Sequence, residues 1–138
     1  MVLVRREPTK LCPACGREKP LFAFNRDKNR SKGVDTFCKS CKRQKRASLT
    51  KSKQEYKQQY QLSHPCVDCG EKDPVVLQFD HVIGIKKKSI ADLVGSGCGL
   101  KTLIDETMKC VSRCANCHQR KTYYENITSG RFTGVTHV

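Results

Sequence analysis

Cys114-Ala115-Asn116-Cys117-His118-Gln119-Arg120-Lys121-Thr122 is the stretch whose reading decides the fold. Two cysteines three apart clamp one zinc ion, because a tight turn between them brings both thiolates onto the metal. A histidine follows the second cysteine directly. If the chain turns into a helix here, His118 leaves the knuckle on a rigid element, and Lys121 and Thr122 share its face. The stretch reads as a metal-binding histidine held beside a structural zinc, with phosphate-binding groups next to it.

The partner pieces lie upstream. Cys66-Val67-Asp68-Cys69 supplies a second pair, with 44 residues between the two. Between the pairs, Gln78-Phe79-Asp80-His81-Val82 ends an apolar run in an acid and a histidine. Two further pairs stand near the start, Cys12/Cys15 and Cys38/Cys41, with 22 residues between them. Eight of the ten cysteines thus share one short spacing. A disulfide framework has no reason to repeat a C-x-x-C spacing, whereas zinc sites do. Cys98 and Cys110 stand apart and read as ordinary thiols with a packing role.

The chain has 138 residues, no Trp and only 7% aromatics, so a large apolar core is not expected. Small domains often put a bound metal in its place. The N-terminus has no long apolar run and no cleavage pattern, and no stretch approaches a membrane span, so a cytoplasmic protein with no membrane partner is expected.

The formal net charge is +14. Residues 1–65 carry 17 Lys/Arg against 5 Asp/Glu, and residues 66–138 carry 10 against 8. So one-sided an excess favours a polyanion as partner, DNA above all, over a merely solvated surface.

Residues 1–10 read as a loose arm. Cys12 to Cys41 reads as a zinc ribbon or finger, in which Pro20-Leu21-Phe22-Ala23-Phe24 packs beside the metal and Asn25–Asp35 forms a loop or hairpin. No Gly or Pro occurs from Val34 to His64, and residues 40–62 are rich in good helix formers. Leu49, Tyr56 and Tyr60 make a narrow apolar stripe on that helix. Lys42, Arg43, Lys45 and Arg46 lie along it as candidate DNA contacts; a flexible basic linker is the alternative. Asp73-Pro74 signals a turn, and Val75–Phe79 suits a short strand. Ser89 caps a short helix through Val94, a second runs from Leu100 to about Met108, and a last one from Cys117 towards Asn126. The expected organisation is a small, zinc-stabilised α+β protein. It has a zinc-ribbon-like module at 1–41, a basic linker helix at 42–63, a second zinc module at 64–128 and a flexible tail at 129–138.

The ordered set C-x-x-C, Asp-His, C-x-x-C-H-x-x-K-T over residues 64–125 resembles the HNH endonucleases that carry a four-cysteine zinc site. Cys12-Pro13-Ala14-Cys15-Gly16-Arg17-Glu18-Lys19-Pro20 with Cys38-Lys39-Ser40-Cys41 resembles the module that often precedes such domains in small phage and bacterial proteins. The resemblance implies a ββα-metal fold for the second module and metal-dependent hydrolysis of DNA phosphodiesters, in a bacterial cell if the chain is phage-encoded. It implies that His81 is the general base, that Asp80 and His118 hold one catalytic divalent ion (Mg²⁺, Mn²⁺, Ni²⁺ or Zn²⁺), and that Lys121 contacts phosphate. The ion would be a third, beside two structural zincs. The chain departs from the family at its middle asparagine, where Lys109 stands. The nearest asparagine is Asn116, either catalytic or a shaper of the knuckle. Asp80 and His81 are adjacent, so both reach one site only if the strand ends or bulges there.

Each residue also has a plainer reading in isolation: a hydrogen-bonded strand-end histidine for His81, a zinc ligand for His118, a surface lysine for Lys121. His64 and His137 stand alone. The basic loop Lys86-Lys87-Lys88 meets DNA or is only solvated. The chief competing function is a zinc-dependent DNA-binding protein without catalysis.

Overall fold

The pairs Cys12/Cys15 and Cys66/Cys69 each begin a turn that a glycine of positive φ completes. In the computed structural model, which describes residues 7–131, the Gly16 amide donates to the Cys12 carbonyl at 2.9 Å and Gly16 takes φ +64°. Gly70 repeats the device, donating to the Cys66 carbonyl at 2.9 Å with φ +76°. Glycine occupies both places because a Cβ disfavours that conformation. The chain divides into two units, Met1–Leu49 and Thr50–Val138.

In the first unit, β1 (Thr9–Cys12) pairs antiparallel with β2 (Arg17–Pro20), Cys12 opposite Arg17. A 3-10 turn over Leu21–Ala23 leads into β3 (Phe24–Arg26), which pairs antiparallel with β4 (Val34–Cys38). The hairpin loop between them is closed by the Asp27 amide on the Gly33 carbonyl at 2.9 Å. Cys12, Cys38, Phe24 and Val34 form the core, so two of its four members are thiols. The arm expected over residues 1–10 is shorter than that: Thr9 and Lys10 already belong to β1, and residues 1–6 lie outside the described residues. Phe24 packs beside the cysteines as expected, whereas Phe22 is 71% exposed.

Helix α1 (Lys39–Ser63) covers the Gly- and Pro-free stretch and ends before His64-Pro65, where the proline disfavours helical φ/ψ in the residue ahead of it. Its apolar stripe is thin, and its buried residues, Lys53 and Gln61, are both polar. Lys53 is fully buried, and its ammonium donates to the Leu93 carbonyl at 2.8 Å and the Ser96 carbonyl at 2.7 Å. Gln61 is buried too, donating to the Leu77 carbonyl at 2.7 Å. Lys53→Ala leaves two carbonyls without their charged donor and opens a cavity along the stem. A loss of about 3 kcal/mol in the stability of the second unit is expected. Urea midpoints at fixed zinc test it, and an unchanged midpoint would mean that water replaces the ammonium without cost.

The second unit is built on one hairpin. Strand β5 (Leu77–His81) pairs antiparallel with β6 (Cys110–Cys114), from Leu77 opposite Cys114 to His81 opposite Cys110, without a shift of register. The strand starts two residues later than expected. Asp73 turns the chain, its carboxylate accepting from the Val75 amide at 2.9 Å and its carbonyl from the Val76 amide at 3.2 Å, so both valines go into the turn. Between the strands come α2 (Ile90–Gly95), capped by the Ser89 hydroxyl on the Asp92 amide at 3.1 Å, and α3 (Leu100–Thr107). Ile90, Leu93, Val94, Leu103 and Cys110 form one core, and Cys66, Leu77, Cys114 and Cys117 the other. Helix α4 (Ala115–Thr128) packs on both strands. It starts at Ala115 rather than Cys117, because the Cys114 thiol serves as its cap and accepts from the Cys117 amide at 3.4 Å. It closes in a turn through Gly130, φ +72°, with the Arg131 amide on the Asn126 carbonyl at 2.9 Å. Of the expected tail, 129–131 form this turn, and 132–138, His137 included, lie outside the described residues. Among the described residues no helix is long and apolar enough to cross a membrane.

The whole is a small α+β protein of short antiparallel strand pairs and helices with two cysteine clusters.

Candidate functional site

The two clusters are Cys12, Cys15, Cys38, Cys41 and Cys66, Cys69, Cys114, Cys117, and within each the four sulfurs lie within 4.8 Å of one another. Zinc with four thiolates at about 2.3 Å requires sulfurs about 3.8 Å apart. Cys69 and Cys114 are 3.7 Å apart. The thiols of a cluster also act on one another. The Ser40 hydroxyl and the Cys41 amide bring Cys38 down to about 5, while the half-buried Cys41, beside Cys38, is pushed up to about 12. Four thiolates this close would be held together by a dication, and the clusters fit structural zinc. Cys98 and Cys110 take no part in either cluster. Cys110 is buried in the core, and burial pushes its thiol up to about 11.

Beside the second cluster lies the acid of the Asp-His pair. Asp80 is 6% exposed and sits on the face of β5 that meets α4. One carboxylate oxygen, Oδ2, takes two cations, the Arg113 guanidinium and the Lys121 ammonium, the latter at 3.0 Å. The other, Oδ1, faces His118 Nε2 at 3.6 Å. His118 Nδ1 lies 2.8 Å from Gln78 Oε1, and the amide oxygen accepts there, so Nδ1 is the donor. In the neutral ring Nε2 then presents a lone pair to the Asp80 carboxylate. Two acceptors facing each other at this distance have room for a cation to bond both, and the second hydrogen bond on the histidine sets its orientation as metal-ligating histidines require. Asp80 also holds the proton on Lys121, with Glu125 helping at 3.2 Å. Arg113 binds Asp68 as well. A cavity of about 470 Å³ opens against this group, lined by Asp68, Cys69, Arg113, Cys117, Arg120 and Lys121.

His81 takes the other side. The strand runs through it in register with no bulge, so its side chain leaves the face opposite Asp80. Its Nε2 meets Glu106 Oε1 at 3.1 Å. Glu106 is 3% exposed and fully engaged: Oε1 also accepts from the Lys87 amide at 2.9 Å, and Oε2 from Lys109 Nζ at 2.8 Å. The Lys109 ammonium first, then the Lys87 amide, hold the Glu106 carboxyl at about 2. An ionised carboxylate only accepts, so His81 Nε2 is the donor and Nδ1 is left as the basic nitrogen.

The structure therefore gathers Asp80, His118 and Lys121, and it sets His81 with Glu106 on the opposite face. Asn116 is exposed on the first turn of α4, beyond the Cys114 end of the hairpin, whereas His81 lies at the Cys110 end, about 13 Å of strand away. Lys109 closes the loop after β5: its carbonyl accepts from the Val82 amide at 3.0 Å and the Ile83 amide at 3.3 Å. His64 stacks on Tyr60 with ring centroids 3.9 Å apart. In the first unit Lys42 pairs with Asp35, Lys45 lies 5.6 Å from the Phe37 ring centre, and Arg43 and Arg46 line a cleft with Lys39, Lys42 and Asn25.

Sequence reasoning misses Gln78, Glu106 and Arg113 as site residues. Gln78 stands two residues before Asp80, the strand period that puts both on one face, and that signal is readable. Glu106 and Arg113 act across 25 and 33 residues and have no local signature.

Comparison of the chain with family models, with curated proteins and with solved structures returns no match.

Proposed function

We propose that the chain is a metal-dependent DNA endonuclease of the HNH type, with its zinc ribbon at the N-terminus and a ββα-metal module following. The observation that carries the reading is the mutual facing of Asp80 Oδ1 and His118 Nε2 at 3.6 Å, with His118 Nδ1 tied to Gln78. Strand, strand and helix supply the framework: β5 brings Asp80, β6 brings Arg113, and α4 brings His118 and Lys121. Mg²⁺, Mn²⁺, Ni²⁺ or Zn²⁺ held by Asp80 and His118 would polarise the scissile phosphate and stabilise the departing oxygen. Lys121, Arg113 and Arg120, which line the cavity, hold the phosphodiester by charge. His81 ends β5 on the opposite face, so its role as base requires that its Nδ1 reach the attacking water round the end of the strand. Glu106 accepts from Nε2–H, which holds the ring in place and leaves Nδ1 as the accepting nitrogen. The surplus of basic residues in 1–65, along α1 especially, supplies affinity for the phosphate backbone without reading bases.

A second reading has its own observation. Arg113 and Lys121 already compensate Asp80, as they would in a zinc-dependent DNA-binding protein that never takes up a catalytic ion. Incubation of the purified chain with supercoiled plasmid and each of the four metals separates the two. Nicked or linear product that appears with metal and disappears on its removal is the expected result. Binding without product under every metal would leave the second reading in possession.

A further inference from the structure

Four cations on α1 share one face. Lys39, Lys42, Arg43 and Arg46 fall at i, i+3, i+4 and i+7, so they form a stripe about 10 Å long. All four line a cleft of about 350 Å³ together with Asn25. At its Lys39 end a second cavity of about 480 Å³ begins, and Asn25 and Lys39 belong to both. Phe22 walls this second cavity, along with Leu21, Phe24, Arg26 and Val34. The Lys39 ammonium donates to the Phe22 carbonyl at 2.8 Å, which ties the backbone of Phe22 to the head of the stripe. Phe24 is spent on the core, but Phe22 keeps an open face.

We infer that this cleft binds a nucleic-acid strand at an unpaired nucleotide, with the base stacked on Phe22 and the flanking phosphates along Lys39, Lys42, Arg43 and Arg46. The inference rests on the reading of the chain as a nucleic-acid-binding protein. Stacking on an aromatic face needs a base whose own face is free, and a continuous duplex offers none in its interior. A cationic stripe alone fits single and double strands equally; the aromatic at its end is what selects. Lys42 remains available, since its pair with Asp35 is on the surface and such pairs are worth little against a phosphate. Asn25, between the two cavities, offers donors and an acceptor to a base edge. The substrate this implies is DNA or RNA with a single-stranded stretch, gap or branch, engaged by residues of the first unit.

The test uses the full chain, zinc-replete and without added catalytic metal. Binding is followed by fluorescence anisotropy on labelled oligonucleotides: single-stranded DNA, single-stranded RNA of the same sequence, and duplex DNA. Phe22→Ala should weaken single-strand binding about tenfold and leave duplex binding within about twofold, and Phe22→Tyr should restore it. Arg43→Ala with Arg46→Ala should lower the salt slope on single strands by about 0.7 for each phosphate no longer neutralised. The DNA and RNA arms identify the sugar. Phe22→Ala without effect on any probe, or with equal weakening on single strand and duplex, overturns the inference. Plasmid nicking by the same preparations separates it from the nuclease reading. Nicking with Phe22-independent binding removes the cleft alone, and Phe22-dependent binding without nicking removes the nuclease alone.

Discussion

Cys69→Ser should strip one zinc ion from the chain and unfold the second unit while leaving the first intact. Three of the four ligands in that cluster, Cys66, Cys114 and Cys117, are core residues, with Leu77 as the only other member of their group. The remaining core is five small or medium side chains on α2, α3 and β6. Zinc binding to a four-cysteine site supplies about 10–16 kcal/mol of apparent free energy. A domain of this kind is stable by about 5–15 kcal/mol in total, so losing the ion removes a term of the same size as the whole margin. Cys69 is the informative position because it is the exposed member of the cluster, and serine there opens no cavity. Elemental analysis should fall from about two zinc ions per chain to about one. Amide spectra should keep the resonances of β1 to β4 and lose the dispersion of β5 and β6. Cys98→Ser serves as control and should keep both ions, since Cys98 lies outside the clusters. Two ions retained by the Cys69 variant would mean that the pairing of knuckles is wrong.

How much of this is legible in the sequence follows from the range over which each residue acts. The C-x-x-C pairs are local, and so are the glycine turns, the Ser89 cap and the uninterrupted helix of α1; all can be read from short windows. The partition of four pairs into two clusters also follows from their order along the chain. What does not show is long-range and polar. Lys53 and Gln61 look like surface residues of a basic helix, and only carbonyls 40 and 16 residues away make their burial tolerable. Strand β6 is hidden because Cys110-Val111-Ser112-Arg113-Cys114 has one β-branched residue, although its side chains alternate between buried and half-buried. The separation of Asp80 from His81 shows in the sequence only as a condition. A strand that neither ends early nor bulges sends them to opposite faces, and whether it bulges is set by the pairing with β6 rather than by the dipeptide.

Asp80→Asn should abolish metal-dependent cleavage and yet strengthen DNA binding. The amide keeps the size and shape of the carboxylate, so the hairpin and the zinc beside it should persist. What changes is charge. Oδ1 loses its worth as a partner for a cation shared with His118, and on the proposed mechanism the catalytic ion is no longer held. Loss of a positioned group in such a site costs about 10²–10⁴-fold in rate, and loss of the ion that two ligands share belongs at or beyond the upper end. His118→Ala should fall as far, since it removes the other ligand. His81→Ala should lose about 10²–10⁴-fold with metal and DNA affinity unchanged, because it takes away only the base. The gain in binding comes from the other oxygen. Arg113 and Lys121 are both drawn to Oδ2, and with a neutral amide there the two cations face the cavity with more of their charge available to phosphate. Arg113 keeps Asp68 as a partner, so it is not left stranded in a buried position. Asp80→Asn therefore tests the catalytic role of the carboxylate, while the gain in affinity is common to both readings. A nuclease loses product and gains affinity. A binder that uses Asp80 only to neutralise its cations gains affinity and had no product to lose. Plasmid cleavage at parental rate by the Asp80→Asn chain, with two zinc ions still bound, would overturn the catalytic assignment of this carboxylate.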